Sequence, residues 1–398
     1  MTRDATVLVE FSPSGGLFQY TAQLGDALAK RGTPVELWTG PKPELDSSQA
    51  GFTVRSMLPT WHPGDTAPLA KPLRLARRAA RAAQLVVAWA VLAYRLRTES
   101  PRAVLFSQWR FTFEPLFVVA IRMLMPRTAF GIVAHEPLPR SDAKDTSTPK
   151  SGRLLRAAFS AAWRRMDVAF VLGPQTRQVV LDHWQPRCEV VVIPFGDAGA
   201  LWSAEEVKPA DQTEPTAVFF GTWTTYKGID VLLDAFSSVR AELPSARLIL
   251  AGAVGADVDG EELVARAGRI GNVDCRPGYQ PLAEVPRLLE AARVVVTPYI
   301  RASQSAVVHL AFTFGRPVVA TTVGDLPAAV DDGVTGLLVP PSDPQSLATA
   351  MLKLLLNPDL AADMGAAGRA SVSQAWAVTA RLIGDAVADA ANRLDRKA

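Results

Sequence analysis

The sequence predicts an α/β protein made of two doubly wound, parallel-sheet, Rossmann-like domains. Three observations carry that prediction. Short apolar runs alternate with helical periods along both halves of the chain. Most of the runs are continuously apolar, as strands buried on both faces are. The 398 residues, at roughly 150 per domain, make room for more than one such unit.

The elements follow in order. TVLVEF is the first strand, SPSGG its turn, and LFQYTAQLGDALAKRG a helix stopped at Gly32. PVELWTG, AVLFSQ, AFGIVAH, VAFVLG and EVVVIPFG continue the first sheet. In the second half TAVFFG leads through TWTTYKG into the helix Ile229–Glu242, and RLILAG, VDCRPG, RVVVTPY, PVVATT and GLLVPP follow. The polar stretch 197–215, with two prolines, reads as the linker, and 141–153 as a polar loop inside the first half. The domains are therefore expected at 1–197 and 198–375, with an amphipathic helix over the remaining 376–398.

Composition excludes other classes. At 48% hydrophobic and 20% charged, the chain is neither disordered, nor collagen-like, nor a coiled coil. Cys188 and Cys275 cannot build a disulfide framework or a four-cysteine zinc site, and they suit a reducing compartment. The apolar run 82–94 is interrupted by Gln84 and falls short of the roughly 20 residues that a bilayer span needs. It reads as a buried helix. The N-terminus carries no signal-peptide pattern, so a cytoplasmic protein is expected. The net charge of +3 hides an asymmetry: residues 1–197 hold 25 Lys+Arg against 16 Asp+Glu (+9), and 198–398 hold 17 against 23 (−6). Two halves of opposite sign suggest different partners.

In doubly wound sheets ligands sit at the carboxyl ends of strands, so the strand-to-helix turns are where chemistry belongs. Gly15-Gly16 lets backbone approach a ligand at a helix N-terminus, although such a pair alone is more often an ordinary turn. In Gly221-Thr222-Trp223-Thr224-Thr225-Tyr226-Lys227-Gly228, Lys227 can reach phosphate oxygens, although alone it reads as a solvated lysine. Ser303-Gln304-Ser305-Ala306 precedes an apolar helix. Ser303 there is either a plain N-cap or the start of an anion site made from the next three N–H groups. His135, beside Glu136 at a strand end, is a candidate for acid–base work or hydroxyl recognition, although a lone histidine is more often structural. There is no GxGxxG fingerprint, no Walker A spacing, no zinc-site histidine pair and no nucleophile elbow. An NAD-linked dehydrogenase is set aside on those grounds.

Taken together, the turns resemble family four of the retaining glycosyltransferases, with the GT-B fold of two such domains facing a cleft. The resemblance runs over nearly the whole chain: GGLFQYTAQLGDALAKRG, VAHEPLP, VVVIPFGD, FFGTWTTYKGIDVLLDAF and, most specifically, ASQSAVVHLAFTFGRPVVATTVGDLP. It implies transfer of a sugar from a nucleotide-sugar with retention; because no DxD-like acidic pair stands at a strand end, no metal or other cofactor is expected. It places Gly15, Gly16, Gly221, Thr222, Lys227, Ser303, Gln304, Ser305 and Ala306 around the donor, and His135 by the transferred sugar. His135 and Lys227 are then the catalytic pair, and the C-terminal helix would return to the first domain.

The departures are specific. The family's arginine in the second turn is Thr222, and its two glutamates, one of which holds the ribose, fall on Ala302 and Leu310. The chain resembles instead a branch with a Thr/Ser-Gln-Ser motif, although Ala306 and His309 replace that branch's glycine and proline. The losses also motivate an alternative: a GT-B subunit that binds a sugar nucleotide with weak or no catalysis.

One feature lies outside the turns. Arg74, Arg77, Arg78 and Arg81 share a helical face in a stretch, 66–98, without acidic residues, and Arg153, Arg156, Arg164 and Arg165 extend the basic character. Such a face suits either an anionic membrane surface or plain solvation. A membrane contact would make the protein peripheral on the inner face of the plasma membrane. The expected partners are a nucleotide-sugar and a sugar, lipid-linked or small-metabolite acceptor. No nucleic-acid motif is present.

Overall fold

The computed structural model describes residues 4–47, 49–62, 71–109, 113–138, 153–198 and 208–396. The first half runs β1 (Thr6–Val9), α1 (Gly16–Lys30), β2 (Val35–Thr39), β3 (Phe52–Ser56), α2 (Lys71–Glu99), β4 (Ala103–Phe106), α3 (Glu114–Leu124), β5 (Ala129–Ala134), α4 (Arg153–Trp163), β6 (Val168–Val171), α5 (Pro174–Trp184) and β7 (Val190–Val192). The second runs β8 (Thr216–Phe220), α6 (Ile229–Glu242), β9 (Arg247–Gly252), α7 (Gly260–Ile270), β10 (Val273–Pro277), α8 (Val285–Ala291), β11 (Val294–Thr297), α9 (Ala306–Thr313), β12 (Val318–Thr321), α10 (Leu326–Ala329), β13 (Gly336–Val339), α11 (Pro344–Leu356), α12 (Pro358–Val372) and α13 (Ala375–Asp395).

Each half folds into one sheet. The first has seven strands in the order β3-β2-β1-β4-β5-β6-β7 and the second six in the order β10-β9-β8-β11-β12-β13. The strand pairs are parallel. Each order reverses beside its first strand, which opens a crevice at the carboxyl ends there. This is the GT-B arrangement of two Rossmann-like domains facing a cleft. The central strands β1, β4, β5 and β6 are buried along their whole length, which explains their unbroken apolar runs.

Strand β3 escapes the sequence pattern. As an edge strand it buries Phe52 but exposes Thr53 and Ser56, and it holds Arg55 in ion pairs to Glu36 and Glu99. Its residues therefore form no apolar run.

The helix over 82–94 is not the buried helix that the sequence predicts. Leu85, Trp89, Leu92 and Leu96 of α2 enter the core, whereas Val86, Val87 and Tyr94 face outward at 46%, 52% and 66% exposure. By length and composition Ala76–Glu99 could cross a bilayer, against the sequence expectation. Its packed side, however, is part of the first domain's core, and a span would remove those side chains from it.

Helix α13 lies on the first domain. Ala380, Ile383, Val387, Ala390 and Ala391 join a core with α1 residues. The Trp376 indole donates to Asp197 O at 2.6 Å, Thr379 Oγ1 donates to Pro194 O at 2.6 Å, and Arg31 pairs with Asp385 at 2.7 Å.

Candidate active site

The second turn is fixed by close backbone contact. Strand β8 ends at Gly221, whose φ of 136° suits glycine, and a tight turn over Thr225–Lys227 leads to Gly228 with φ 68°. A Cβ on Gly228 would stand 2.0 Å from Pro298 O, so only glycine lets this turn reach the end of β11. The Ile300 N–H donates to Tyr226 O at 2.8 Å and completes the junction.

That junction sets Lys227 over Tyr299. The ammonium lies 3.9 Å from the centroid of the buried Tyr299 ring, a cation–π contact that holds the charge without neutralising it. A Cβ on Gly221 would be 3.8 Å from Lys227 Nζ, so the two lie side by side, while Thr222 is exposed beyond them. Tyr299 Oη is in turn 3.2 Å from Ser305 Oγ. Lys227, Tyr299 and Ser305 thus form one line.

Helix α9 begins at Ala306 with Ser305 as N-cap, two residues later than the sequence suggests for Ser303. The Ser305 hydroxyl makes no capping bond because it lies against Tyr299. The Val308 N–H already donates to Ser305 O at 3.2 Å, so the N–H groups left at the start of α9 without a side-chain cap are those of Ala306 and Val307. Ser303 serves another element: its carbonyl accepts from the Asp325 N–H at 2.7 Å. Gln304 keeps a buried Oε1 without a partner among the described residues. Leu310 packs in the core at 7% exposure and cannot hold a ribose.

On the other side of the cleft, Gly15 is the N-cap of α1, with φ 88°; its N–H donates to Glu44 Oε2 at 3.1 Å, and the space where a Cβ would stand is open, as it is at Gly16. His135 follows β5 and is 5% exposed. Gln108 holds the next residue through two bonds, its Oε1 accepting from Glu136 N at 2.9 Å and its Nε2 donating to Glu136 O at 3.1 Å. The His135 ring meets Tyr20 edge-on at 4.5 Å, Tyr20 meets Phe195 at 5.0 Å, and Phe195 stacks on His309 of α9 at 4.6 Å. This aromatic chain ties His135 to the helix that Ser305 opens. Burial lowers the His135 and His309 imidazoles to about 4, so both are neutral near pH 7. Among the described residues, Tyr20 Oη, His135 Nε2 and His309 Nδ1 are buried without hydrogen-bond partners.

Sequence reasoning missed Tyr299, Tyr20 and Phe195. All three stand in segments already singled out, but a packed aromatic carries no signal of its own. Arg77, Arg78 and Arg81 lie on α2, with Arg78 exposed and the Arg81 guanidinium 5.1 Å over Trp61. The side chain of Arg74 is outside the described residues, as is most of the 141–153 loop.

The family model "Glycosyl transferases group 1" matches residues 214–357, the stretch holding Lys227 and Ser305. The chain is 28% identical over 391 residues to a D-inositol 3-phosphate glycosyltransferase of Segniliparus rotundus, covering 92% of this chain and 83% of that one. Its 36% identity to the protein of the same name from Streptomyces coelicolor spans 46% of this chain and 41% of that one. Among solved structures it resembles sucrose-phosphate synthase from Thermosynechococcus elongatus, at TM-score 0.72 and 22% identity over 96% of this chain and 98% of that one. It also resembles HepE of Anabaena in complex with UDP and glucose, at TM-score 0.68 and 16% identity over 96% and 99%.

Proposed function

We propose that this chain, a glycosyltransferase of GT-B fold related to family four, moves a sugar from a UDP- or GDP-sugar to an acceptor hydroxyl with retention and without a metal ion. The line of Lys227, Tyr299 and Ser305 carries the reading. A leaving nucleoside diphosphate needs its charge stabilised as the bond breaks. Lys227 offers one positive charge there, and the uncapped start of α9 offers N–H groups and the positive end of a helix dipole. Gly15 and Gly16, without side chains, leave room for the sugar phosphate at α1.

In the step we infer, the bond from the anomeric carbon to the phosphate oxygen breaks, and both electrons leave with the diphosphate. The acceptor oxygen bonds that carbon from the same face, and its proton passes to the departing phosphate oxygen. His135 is neutral at working pH, so it orients the sugar through Nε2 and supplies no full charge. Residues 1–197 form the acceptor side and 198–375 the donor side in this reading, and 376–398 close back on the first.

The surface of α2, α3 and α4 favours an acceptor presented at a membrane. Val86, Val87 and Tyr94 of α2, Met123 and Leu124 of α3 and Leu154 of α4 are exposed on the helices that cover one face of the first sheet. Arg77, Arg78 and Arg81 lie on that layer, and the first turn of α2 contains no acidic residue to offset its dipole. Apolar side chains amid arginines fit the interface of an anionic bilayer.

The test is release of nucleoside diphosphate from a panel of UDP-, GDP-, ADP- and dTDP-sugars, read beside thermal shift. Stabilisation by a UDP- or GDP-sugar together with release supports transfer. Stabilisation without release supports the binding-subunit reading, which Thr222, Ala302 and the buried Leu310 motivate.

A further inference from the structure

One carboxylate joins the two domains and the donor loop. Asp325, at the start of α10 in the second domain, is 3% exposed. Its Oδ1 accepts from the Gln175 N–H at 2.7 Å, and its Oδ2 accepts from the Thr176 N–H at 2.9 Å and from the Thr176 hydroxyl. Those donors are the first turn of α5 in the other domain, 150 residues away in sequence. Helix α5 has no cap of its own, because its N-cap is Gly173. Asp325 supplies that cap across the domain boundary, where a carboxylate also meets the positive end of the helix dipole.

Both sides are shaped for the contact. A Cβ on Gly173 would stand 2.1 Å from Asp325 Cγ, so that glycine is there for space; its extended φ of −172° would suit any residue. On the other side Gly324 takes φ 56°, and a Cβ there would stand 1.9 Å from Ala302 O. That close approach sets the Asp325 N–H on Ser303 O at 2.7 Å. The side chain of Asp325 therefore holds the acceptor-side domain while its backbone holds the Ser303-Gln304-Ser305 loop.

We propose that Asp325 is a positioning residue that couples domain closure to the donor loop: its carboxylate clasps α5 when the cleft is closed, and its backbone keeps the loop in register with that closure. The role of the loop rests on the function proposed above, but the clasp does not. Opening would break three hydrogen bonds on one buried carboxylate. The clasp therefore favours the closed arrangement and leaves donor contacts within the second domain intact.

The test combines small-angle scattering of the ligand-free protein with turnover, measured as nucleoside diphosphate release. Asp325→Ala removes the clasp but keeps the backbone bond to Ser303. It is expected to enlarge the radius of gyration and to lower kcat by about tenfold or more, with KM for the nucleotide-sugar changed by no more than about twofold. Gly173→Ala drives the carboxylate off from the opposite domain without touching the donor loop. It should enlarge the particle in the same way, and it answers the question if Asp325→Ala does not fold. Thr176→Val, which removes one donor of three, should fall between. Folded Asp325→Ala and Gly173→Ala variants with the parent's scattering overturn the proposal. So does a loss of donor binding that matches the loss of turnover, since the residue would then act on the loop alone. Scattering needs no substrate, so an enlarged particle without any sugar transfer would refute the function and leave the clasp standing.

Discussion

Tyr279 of the second domain donates its phenolic hydrogen bond to Glu44 Oε1 of the first at 2.6 Å, while the Gly15 N–H donates to Glu44 Oε2 at 3.1 Å. One carboxylate thereby ties the loop after β10 to the turn that opens α1, where Gln19 Nε2 also reaches it at 3.0 Å. Partial desolvation of the hydroxyl, with the bond to the Glu44 carboxylate and its charge, pushes the Tyr279 phenol above its ordinary range, so it remains a donor at working pH. Tyr279→Phe should therefore loosen Glu44 and speed amide exchange at Gly15 and its neighbours. The ring is 62% exposed, so the cost to global stability should be about 1 kcal/mol or less. Unchanged exchange at Gly15 in hydrogen–deuterium mass spectrometry would contradict the link.

Lys227→Ala should weaken binding of the nucleoside diphosphate. A charge-assisted bond to phosphate is worth about 1.5–3 kcal/mol, a loss of roughly tenfold to a hundredfold in affinity. Titration calorimetry with UDP and GDP measures it directly. Equal affinity in the variant and the parent would remove Lys227 from the phosphate site.

His135 and His309 make the fold acid-sensitive. Burial lowers both to about 4 in the folded protein, below the value of about 6.5 in the unfolded chain. Above pH 6.5 both states hold the neutral imidazole, and no penalty arises. As pH falls from 6.5 to 4 the unfolded chain binds the proton first, so stability drops across that window by roughly 3 kcal/mol for His135. His135→Phe, which keeps an aromatic ring against Tyr20, should remove about half of the loss between pH 6.5 and 4 in urea melts, since His309 still titrates, while reducing turnover. An unchanged slope would mean that His135 is not the buried titrating group.

Binding to vesicles should depend on both parts of the α2–α4 surface. Each arginine near an anionic bilayer contributes about 1 kcal/mol, so changing Arg77, Arg78 and Arg81 to glutamine should abolish pelleting with phosphatidylglycerol vesicles. Met123→Ser with Leu124→Ser should weaken it at high salt as well, where the charge term is screened. Equal pelleting by parent and variants would assign these residues to solvation.

The sequence made most of the fold legible because parallel strands buried on both faces leave unbroken apolar runs, as AVLF and VAFV do here. Edge strand β3 left no such mark, because Arg55 and Thr53 serve an ion-pair network and solvent. In the candidate site, glycines at strand ends and a lysine before a helix singled out the turns that the proposed function uses. What they touch was not legible. The Tyr299 platform depends on a close approach between two strand ends, and Asp325 and Glu44 reach Gln175 and Tyr279, 150 and 235 positions away. The position of Ser305 as cap, in place of Ser303, follows from its contact with Tyr299, which no local pattern encodes.

The most direct measurement is the anomeric configuration of the product. With a UDP- or GDP-linked α-sugar and an accepted hydroxyl, proton NMR of the fresh product should give the coupling constant of an α-linkage, with one nucleoside diphosphate released per sugar transferred. A β-linked product, or a donor that stabilises the protein and is never cleaved, would contradict the retaining transfer assigned to Lys227, His135 and the start of α9.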